Sequence, residues 1–454
     1  MTIFKTTIKV QERITNNFIE IPVIFDENGK PFYELIQYCL NKFTVGKFRF
    51  SSLKHVVYAV ELYLQFNLVN RLKVKNSREM FKLFFEALLK GTINDDGFDE
   101  SGLYWKPFQP DTANIYLDAL SKFGDWLHIE YGNQILNPII EHDYKAKVLL
   151  QYAYYYKTKA NILSHIQHKK NLNFNFSREF KIRKHIKREK GDIQQFPDQL
   201  FNKLIIHGYE AVKDKRMVLR DILILLLMHG CGVRVSEALH LWIHDVNILT
   251  KTVKIFHPKG GNAPNGRNRQ EYLWEKYKLK PRTDLVGNQH LGWKSVSVNK
   301  EGAIDLFWKE EKMRDFFFEM WTIYLSYLAV LEINHPYAFM NFNKKDFLQP
   351  YTLSSFQKNY IAAMRRLGEK VDKASGLSTH GHRHNYAMTL KERGHSPLII
   401  QRALHQSNIY SQLPYVSGSY SQAIKKFREL EEKIKDNNEV ADITSWEEIW
   451  KDFN

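Results

Sequence analysis

The sequence predicts a mostly α-helical protein with a small β-sheet or hairpin in its C-terminal half, built as an N-terminal helical domain followed by a mixed, mostly helical one. Three observations carry this expectation. Apolar residues recur at helical spacing in successive segments between residues 31 and 165. Ile222 to Met228 form an unbroken apolar run inside RDILILLLMHGCGVRVSEALHLWIHDV, as in a helix buried on all sides. Finally, TVKIFHPKGGN, with Val253 and Ile255 on one face, reads as a strand running into a Gly-Gly turn.

Taken in order, residues 1–30 alternate like strands (TIFKTTIKV, FIEIPVIF) and close at the turn-forming DENGKP. Helical segments follow at PFYELIQYCLNKF, at SSLKHVVYAVELYLQF with a Ser N-cap, at NSREMFKLFFEALLKG with its terminal Gly, and at PDTANIYLDALSKFGDWLHIEYG. These define a helical domain at 31–165. Residues 166–195 read as a basic linker. Within it, 169–190 carries nine Lys or Arg against two Glu, with Phe174, Phe176 and Phe180 interleaved. That composition suits a segment lying along a phosphate backbone, where each neutralising cation releases counterions. It also suits a solvated charged linker. A second domain is expected over 196–432, with further helices at EKMRDFFFEMWTIYLSYLAVL, TLSSFQKNYIAAMRRLG and from Asn385 to about Lys433. The stretch 263–299 reads as polar and irregular, and 433–454 as a tail.

At 454 residues the chain is long enough for two or three domains with real cores. Lys and Arg total 66 against 50 Asp and Glu, giving a formal charge of +16, and 14% of residues are aromatic. That balance points first to nucleic acid as partner. Cys39 and Cys231 are far apart in apolar surroundings, which excludes a disulfide framework or a cysteine zinc site and suggests a reducing, cytoplasmic setting. No apolar run approaches the roughly 20 residues of a membrane span, and MTIFKTTIKV lacks the apolar core of a signal peptide.

Chemistry concentrates in three places. In GVRVSEALHL, Arg234 follows a Gly turn and opens a helix, with Glu237 three residues on and on the same face. An Arg so near a core requires an anion, either Glu237 or a ligand. In THGHRHNYAMTL, His380 and Arg383 are three apart at a helix start, where free N–H groups and the dipole favour an anion. A zinc site on His380, His382 and His384 lacks a completing carboxylate or thiolate and would place Arg383 beside the metal. In IQRALHQSNIYSQLPYV, tyrosines occur at 410 and 415, with Tyr420 just beyond. Two arginines, a His, a Lys near a turn and a downstream Tyr are the parts needed to attack a phosphodiester without metal.

These residues resemble the tyrosine recombinase (phage integrase) family. GVRVSEAL is similar to the box of its first catalytic arginine, and THGHRHNYAMTLKERG to the box carrying its His-x-x-Arg pair. Laid without gaps on the family's usual run, Gly394 falls on a Gly, Ile400 and Gln401 on an Ile-Gln pair, Ser407 and Ile409 on a Ser-x-Ile, and Tyr415 on the nucleophile. The resemblance spans residues 196–432 and, more weakly, likens 31–165 to a DNA-gripping core-binding domain. It implies that Arg234 and Arg383 clamp the scissile phosphate, His380 assists proton transfer, and Tyr415 forms a 3′-phosphotyrosyl bond. Lys259, at the Gly-Gly turn, would protonate the 5′-oxygen, with Lys254 as competitor. The implied protein is a site-specific recombinase or integrase of a mobile element, closing on duplex DNA as a clamp and working as a homotetramer in a synapse, with accessory proteins of the same element as possible partners. Neither metal nor nucleotide cofactor is implied.

Departures from the pattern are specific. Leu404-His405-Gln406 stands where the family has Leu-Gly-His, so Gln406 takes the second histidine's place and would donate an amide hydrogen bond, with His405 as the working residue instead if the register shifts locally by one. His382 replaces a usual Leu, and Asn385 a usual Thr or Ser. Arg267 and Arg269 follow Lys259 only after a longer loop, and 263–299 looks like added material. The alternative function is a recombinase-derived DNA-binding protein that has lost activity.

Overall fold

In the computed structural model, the described residues are 3–11, 18–26, 28–44, 50–74, 76–141, 144–159, 176–181, 194–285, 287–294 and 296–407. The chain divides into two compact units, Met1–Lys187 and Arg188–Asn454. As expected from sequence, the architecture is mostly helical with small antiparallel sheets.

The first unit opens with the antiparallel pair β1 (Phe4–Gln11) and β2 (Phe18–Phe25), in register from Phe4↔Phe25 to Gln11↔Phe18. Four helices follow: α1 (Tyr33–Thr44), α2 (Phe50–Asn70), α3 (Ser77–Lys90) and α4 (Pro110–Tyr131). The strands share the helices' core, because Ile21 and Ile24 of β2 are buried with Leu35, Tyr38, Phe81 and Phe123. Helix α3 has the ends its sequence advertises: Asn76 accepts from the Arg78 N–H at 2.8 Å, and Gly91 closes the helix at a φ of 79°. A Cβ on Gly91 would lie 2.6 Å from the Trp105 carbonyl oxygen, so only glycine fits there. Helix α2 departs from expectation. It starts at Phe50, which places Ser51 and Ser52 inside the first turn, where backbone N–H groups still lack helical partners and serine is tolerated. Helix α5 (Tyr144–Lys159) separates β3 (Ile139–Glu141) from its partner β4 (Phe176–Arg178). Most of the basic stretch 169–190 lies outside the described residues.

The second unit is organised around one helix. After α6 (Asp198–His207), α7 (Lys215–Cys231) is buried continuously from Leu219 to Cys231. A short α8 (Val235–Ala238) leads to β5 (Val246–Asn247) and β6 (Thr252–Phe256). Then come α9 (Arg269–Tyr277), β7 (Ala303–Asp305), α10 (Glu311–Leu328), α11 (Leu353–Arg366), α12 (Thr379–Glu392) and α13 (Pro397–Ala403). Helices α10, α11 and α12 pack on α7, and the sheet runs β5-β6-β7, antiparallel throughout. Burying a charged pair inside α7 is made possible by local satisfaction. Arg220 bonds Asp221 at 2.9 Å and the Met340 carbonyl at 2.9 Å while lying 3.5 Å over the Tyr351 ring.

The stretch 263–299 is more ordered than its composition suggests. It contains α9, whose N-cap Asn268 accepts from the Glu271 N–H at 2.9 Å. Arg269 pairs with Asp245 and stacks 3.9 Å over Trp242, while Arg282 donates to the Leu239 and Tyr351 carbonyls at 3.1 and 2.9 Å. Polar residues here do core work by pairing and stacking, and hydropathy patterning does not register that. Among the described residues no helix is long and apolar enough to cross a membrane.

Candidate active site

The site begins where α7 ends. Gly232 adopts a φ of 65°, and a Cβ there would lie 2.3 Å from the Tyr386 ring, so glycine lets the chain turn sharply under α12. That turn delivers Arg234 to the start of α8. Its N–H donates to Glu237 Oε2 at 2.7 Å and its guanidinium to Oε1 at 2.5 Å. Glu237 is only 1% exposed, and its carboxylate also stands 3.8 Å from Arg383 on α12. Arg383, likewise 1% exposed, donates to the Gly232 carbonyl at 2.6 Å and the Leu404 carbonyl at 2.5 Å. Two cations thus share one buried carboxylate, leaving an excess positive charge. The Arg234 side chain, 23% exposed, carries it towards solvent. A second anion is what this arrangement can bind.

The first turn of α12 separates its histidines by face. His380 and His384 meet edge to face, ring centroids 4.6 Å apart, on the side of Arg383. Although His380 opens to solvent, loss of hydration first, then the neighbouring His384, Arg383 and Arg234, hold it towards the neutral form. His382 points the other way and stacks on Phe196 at 4.0 Å, so the three imidazoles do not converge.

His382 belongs instead to a buried polar spine that no local motif announces. The Lys309 ammonium donates to Asp198 Oδ1 at 2.7 Å and to Asn385 Oδ1 at 2.6 Å, and lies 2.9 Å from His229 Nε2. His229 Nδ1 meets His382 Nδ1 at 3.1 Å, His382 Nε2 meets the Tyr360 hydroxyl at 3.3 Å, and that hydroxyl donates to the Leu377 carbonyl at 2.9 Å. His229 Nε2 also meets Asp198 Oδ1 at 2.8 Å, so its ring is held between the Asp198–Lys309 pair on one side and His382 on the other. Asn385 and His382, both off the family pattern, are thus partners in one network that fixes α12 against α6, α7 and α11.

Neutrality of this spine makes stability depend on pH. Burial pushes His229 down to about 4, and His382 is driven down by burial, His229 and Lys309. The unfolded chain, with imidazoles near 6.5, therefore binds protons that the folded chain refuses. The contribution of these imidazoles is complete above pH 6.5 and is lost as pH falls below it, for His229 down to about 4, with a slope of roughly 1.4 kcal/mol per pH unit for each proton that only the unfolded chain binds. Urea unfolding measured across this range should show that slope; a flat profile would mean the imidazoles are already charged.

Lys259 follows β6, and its ammonium pairs with Asp284 at 2.6 Å rather than with the arginines. It edges a cleft of about 250 Å³ lined also by Gly260, Asn268, Gln270 and Glu271. Lys254 pairs with Glu301 at 2.8 Å. Gln406 is fixed through its backbone, its N–H bonded to the Gln401 carbonyl at 3.0 Å and its carbonyl accepting from Gln401 Nε2 at 3.0 Å. Tyr410, Tyr415 and Tyr420 lie outside the described residues.

No protein-family profile matches the sequence. Over 219 residues, however, the chain is 29% identical to Tyrosine recombinase XerA of Pyrococcus horikoshii, a stretch covering 48% of this chain and 55% of that protein. Over that stretch the chain is similar to a tyrosine recombinase. The match spans about half the length of that recombinase. Among solved recombinase structures, XerA recombinase aligns over 87% of this chain and 96% of its own (12% identity, TM-score 0.34). XerH bound to its difH substrate aligns over 82% and 78% (13%, 0.45), and the Tn1549 transposon integrase with transposon right end DNA over 82% and 99% (14%, 0.37).

Set beside the recombinase pattern, the structure gathers Arg234, Glu237, His380 and Arg383 into one cluster and leaves Lys259 paired elsewhere. His405, the alternative to Gln406 in the Leu404-His405-Gln406 box, is buried at 5% exposure in the turn that Arg383 braces. Its one signal in the sequence is an imidazole where a glycine is expected.

Proposed function

We propose that this chain is a site-specific DNA recombinase of a mobile element, of integrase type, which cuts and rejoins duplex DNA through a 3′-phosphotyrosyl intermediate. The observation that carries the reading is the pair Arg234 and Arg383 on one buried carboxylate, with charge to spare for a phosphodiester beside a neutral imidazole. Similarity to a tyrosine recombinase supports it.

In this reading the Tyr415 phenol attacks phosphorus and passes its proton to His380. The P–O5′ bond breaks, and the departing oxygen takes a proton from Lys259. The arginines bind the non-bridging oxygens as charge develops. Neutrality of His380 suits it to accept a proton, and a bound phosphate that offsets the arginines makes it a better base. Rejoining reverses each step, so bond energy is kept in the phosphotyrosine. Lys259 must first leave Asp284, which makes DNA binding part of assembling the site. Gln406 would donate an amide hydrogen bond to the phosphate. The partners are duplex DNA and three further copies of the chain in a synapse, with accessory proteins of the element. The helical domain at 31–165 and the basic stretch 166–195 contact the DNA alongside the catalytic domain.

The test is covalent capture of a nicked duplex made from the element's own ends, in EDTA, followed by denaturing electrophoresis. A detergent-stable protein–DNA species is expected, and its absence would overturn the reading in favour of DNA binding alone. Neutralising cations within 169–190 should weaken binding to all duplexes alike. The slope of log K against log salt should flatten by roughly 0.9 for each phosphate that the protein no longer neutralises. A weakening confined to particular sequences would give the segment a different role.

A further inference from the structure

The lysine assigned to protonate the leaving oxygen is held by a carboxylate that the stretch inserted between β6 and β7 supplies. Lys259 sits at the Gly260-Gly261 turn, and its ammonium meets Asp284 Oδ1 at 2.6 Å. The two partners are mounted differently. Asp284 closes a tight turn, its N–H bonded to the Pro281 carbonyl at 2.9 Å. Arg282 in that turn is 1% exposed and donates to the Leu239 and Tyr351 carbonyls. Leu239 caps α8, the helix that Arg234 opens, so the carboxylate rides on the frame of the arginine cluster. Further along the same stretch, the Ser297 N–H bonds the His405 carbonyl at 3.1 Å, in the turn that Arg383 braces.

Lys259 is anchored through its backbone. Its N–H faces His257 Nδ1 at 3.3 Å, and its carbonyl accepts the Gln270 N–H at 3.1 Å. A flexible four-carbon stem separates that backbone from the ammonium, so the charge can swing while the turn stays put. The ion pair stands partly in solvent, its side chains 44% and 33% exposed. Pairs of this kind are weak, and a phosphate can take the ammonium from Asp284. A tight buried pair would silence the lysine, whereas a weak exposed one holds it in reserve.

We propose that Asp284 is an autoinhibitory latch: it holds the Lys259 ammonium off the leaving oxygen until a seated phosphodiester displaces it. This rests on the phosphotyrosyl reading above, in which the P–O5′ bond breaks and the departing oxygen takes its proton from Lys259. The inserted stretch then makes cleavage conditional on a fully seated duplex, because the same segment that touches both arms of the arginine cluster also withholds the acid.

The test uses the full-length chain in excess and single-turnover covalent capture of two nicked duplexes that differ in one atom, oxygen or sulfur at the 5′-bridging position. A thiol ionises at roughly pH 8.5, so the sulfur departs as thiolate without a donated proton. Asp284→Asn keeps the side chain's shape and removes its charge. Expected is capture about two- to fivefold faster than wild type on the oxygen duplex and no change on the sulfur duplex. Glu301→Gln, which frees Lys254 from its own pair at 2.8 Å, should leave both rates where they were. An unchanged or slower rate for Asp284→Asn on the oxygen duplex would overturn the latch. Equal acceleration on both duplexes would assign the effect to DNA seating and overturn it too, and acceleration by Glu301→Gln on oxygen alone would transfer the acid's role to Lys254. Failure of the wild-type protein to capture either duplex would instead strike the phosphotyrosyl reading itself, and this inference with it.

Discussion

Tyr415→Phe should abolish covalent capture of nicked DNA while leaving folding and DNA affinity at the wild-type level. The change removes one hydroxyl, and without it there is no nucleophile to form the P–O bond, so the expected loss is total rather than graded. Only the register from Arg383 selects this tyrosine. Its early landmarks fall in ordered positions: Gly394 ends α12 with a φ of 82°, and Ile400 is buried in α13, which Ser396 caps. Tyr410 and Tyr420 lie five residues to either side, about 1.4 helical turns, so in a helix the three phenols would point apart and one phosphate would accept only one. Tryptic mapping of the captured species should place the nucleotide on Tyr415. A label on Tyr410 or Tyr420 would show that the register is shifted.

Arg234→Ala comes next in size. Removing a donor to charge that develops in the transition state costs about 100 to 1,000-fold in rate, and a guanidinium facing a phosphate belongs at the upper end. Its partner Glu237 keeps Arg383 at 3.8 Å, so the fold should tolerate the change and DNA binding, spread over many cations, should persist. Arg383→Ala should lose as much rate and also stability. It removes the bonds to the Gly232 and Leu404 carbonyls and one of the two cations on a buried carboxylate, and breaking such a pair typically costs about 3–5 kcal/mol. Urea unfolding and single-turnover cleavage on both variants separate the effects. Wild-type cleavage by Arg234→Ala would remove that residue from the mechanism.

Much of this architecture was legible because local rules decided it. Asn76 and Gly91 bound α3, Gly132 ends α4, and the run 222–228 marks the buried α7, all readable from spacing and end residues. The Arg234–Glu237 pairing also followed from a three-residue spacing on a helix start. What escaped was whatever depends on distant partners. Arg269 and Arg282 look like surface residues until Asp245, Trp242 and two backbone carbonyls are brought to them. His382 and His229 lie 153 residues apart, and nothing local says that they share a proton. The left-handed turn at His405 is likewise imposed from outside, by Arg383 and Ser297.

The stretch inserted between β6 and β7 also changes how the sheet comes to exist. Lys254↔Asp305, Ile255↔Ile304 and Phe256↔Ala303 are neighbours across the ladder, yet residues 257–302 separate the strands along the chain. Closing so long a loop costs about 2 kcal/mol more entropy than closing a short hairpin. This β-pair is therefore no autonomous nucleus and cannot zip up from a tight turn. In the folded chain the intervening stretch is anchored by Tyr272 and Leu273, which pack with Trp242 and Tyr337 in a cluster of their own. The Lys259 end of the sheet thus depends on long-range contacts, and its order is borrowed from residues that carry no chemistry.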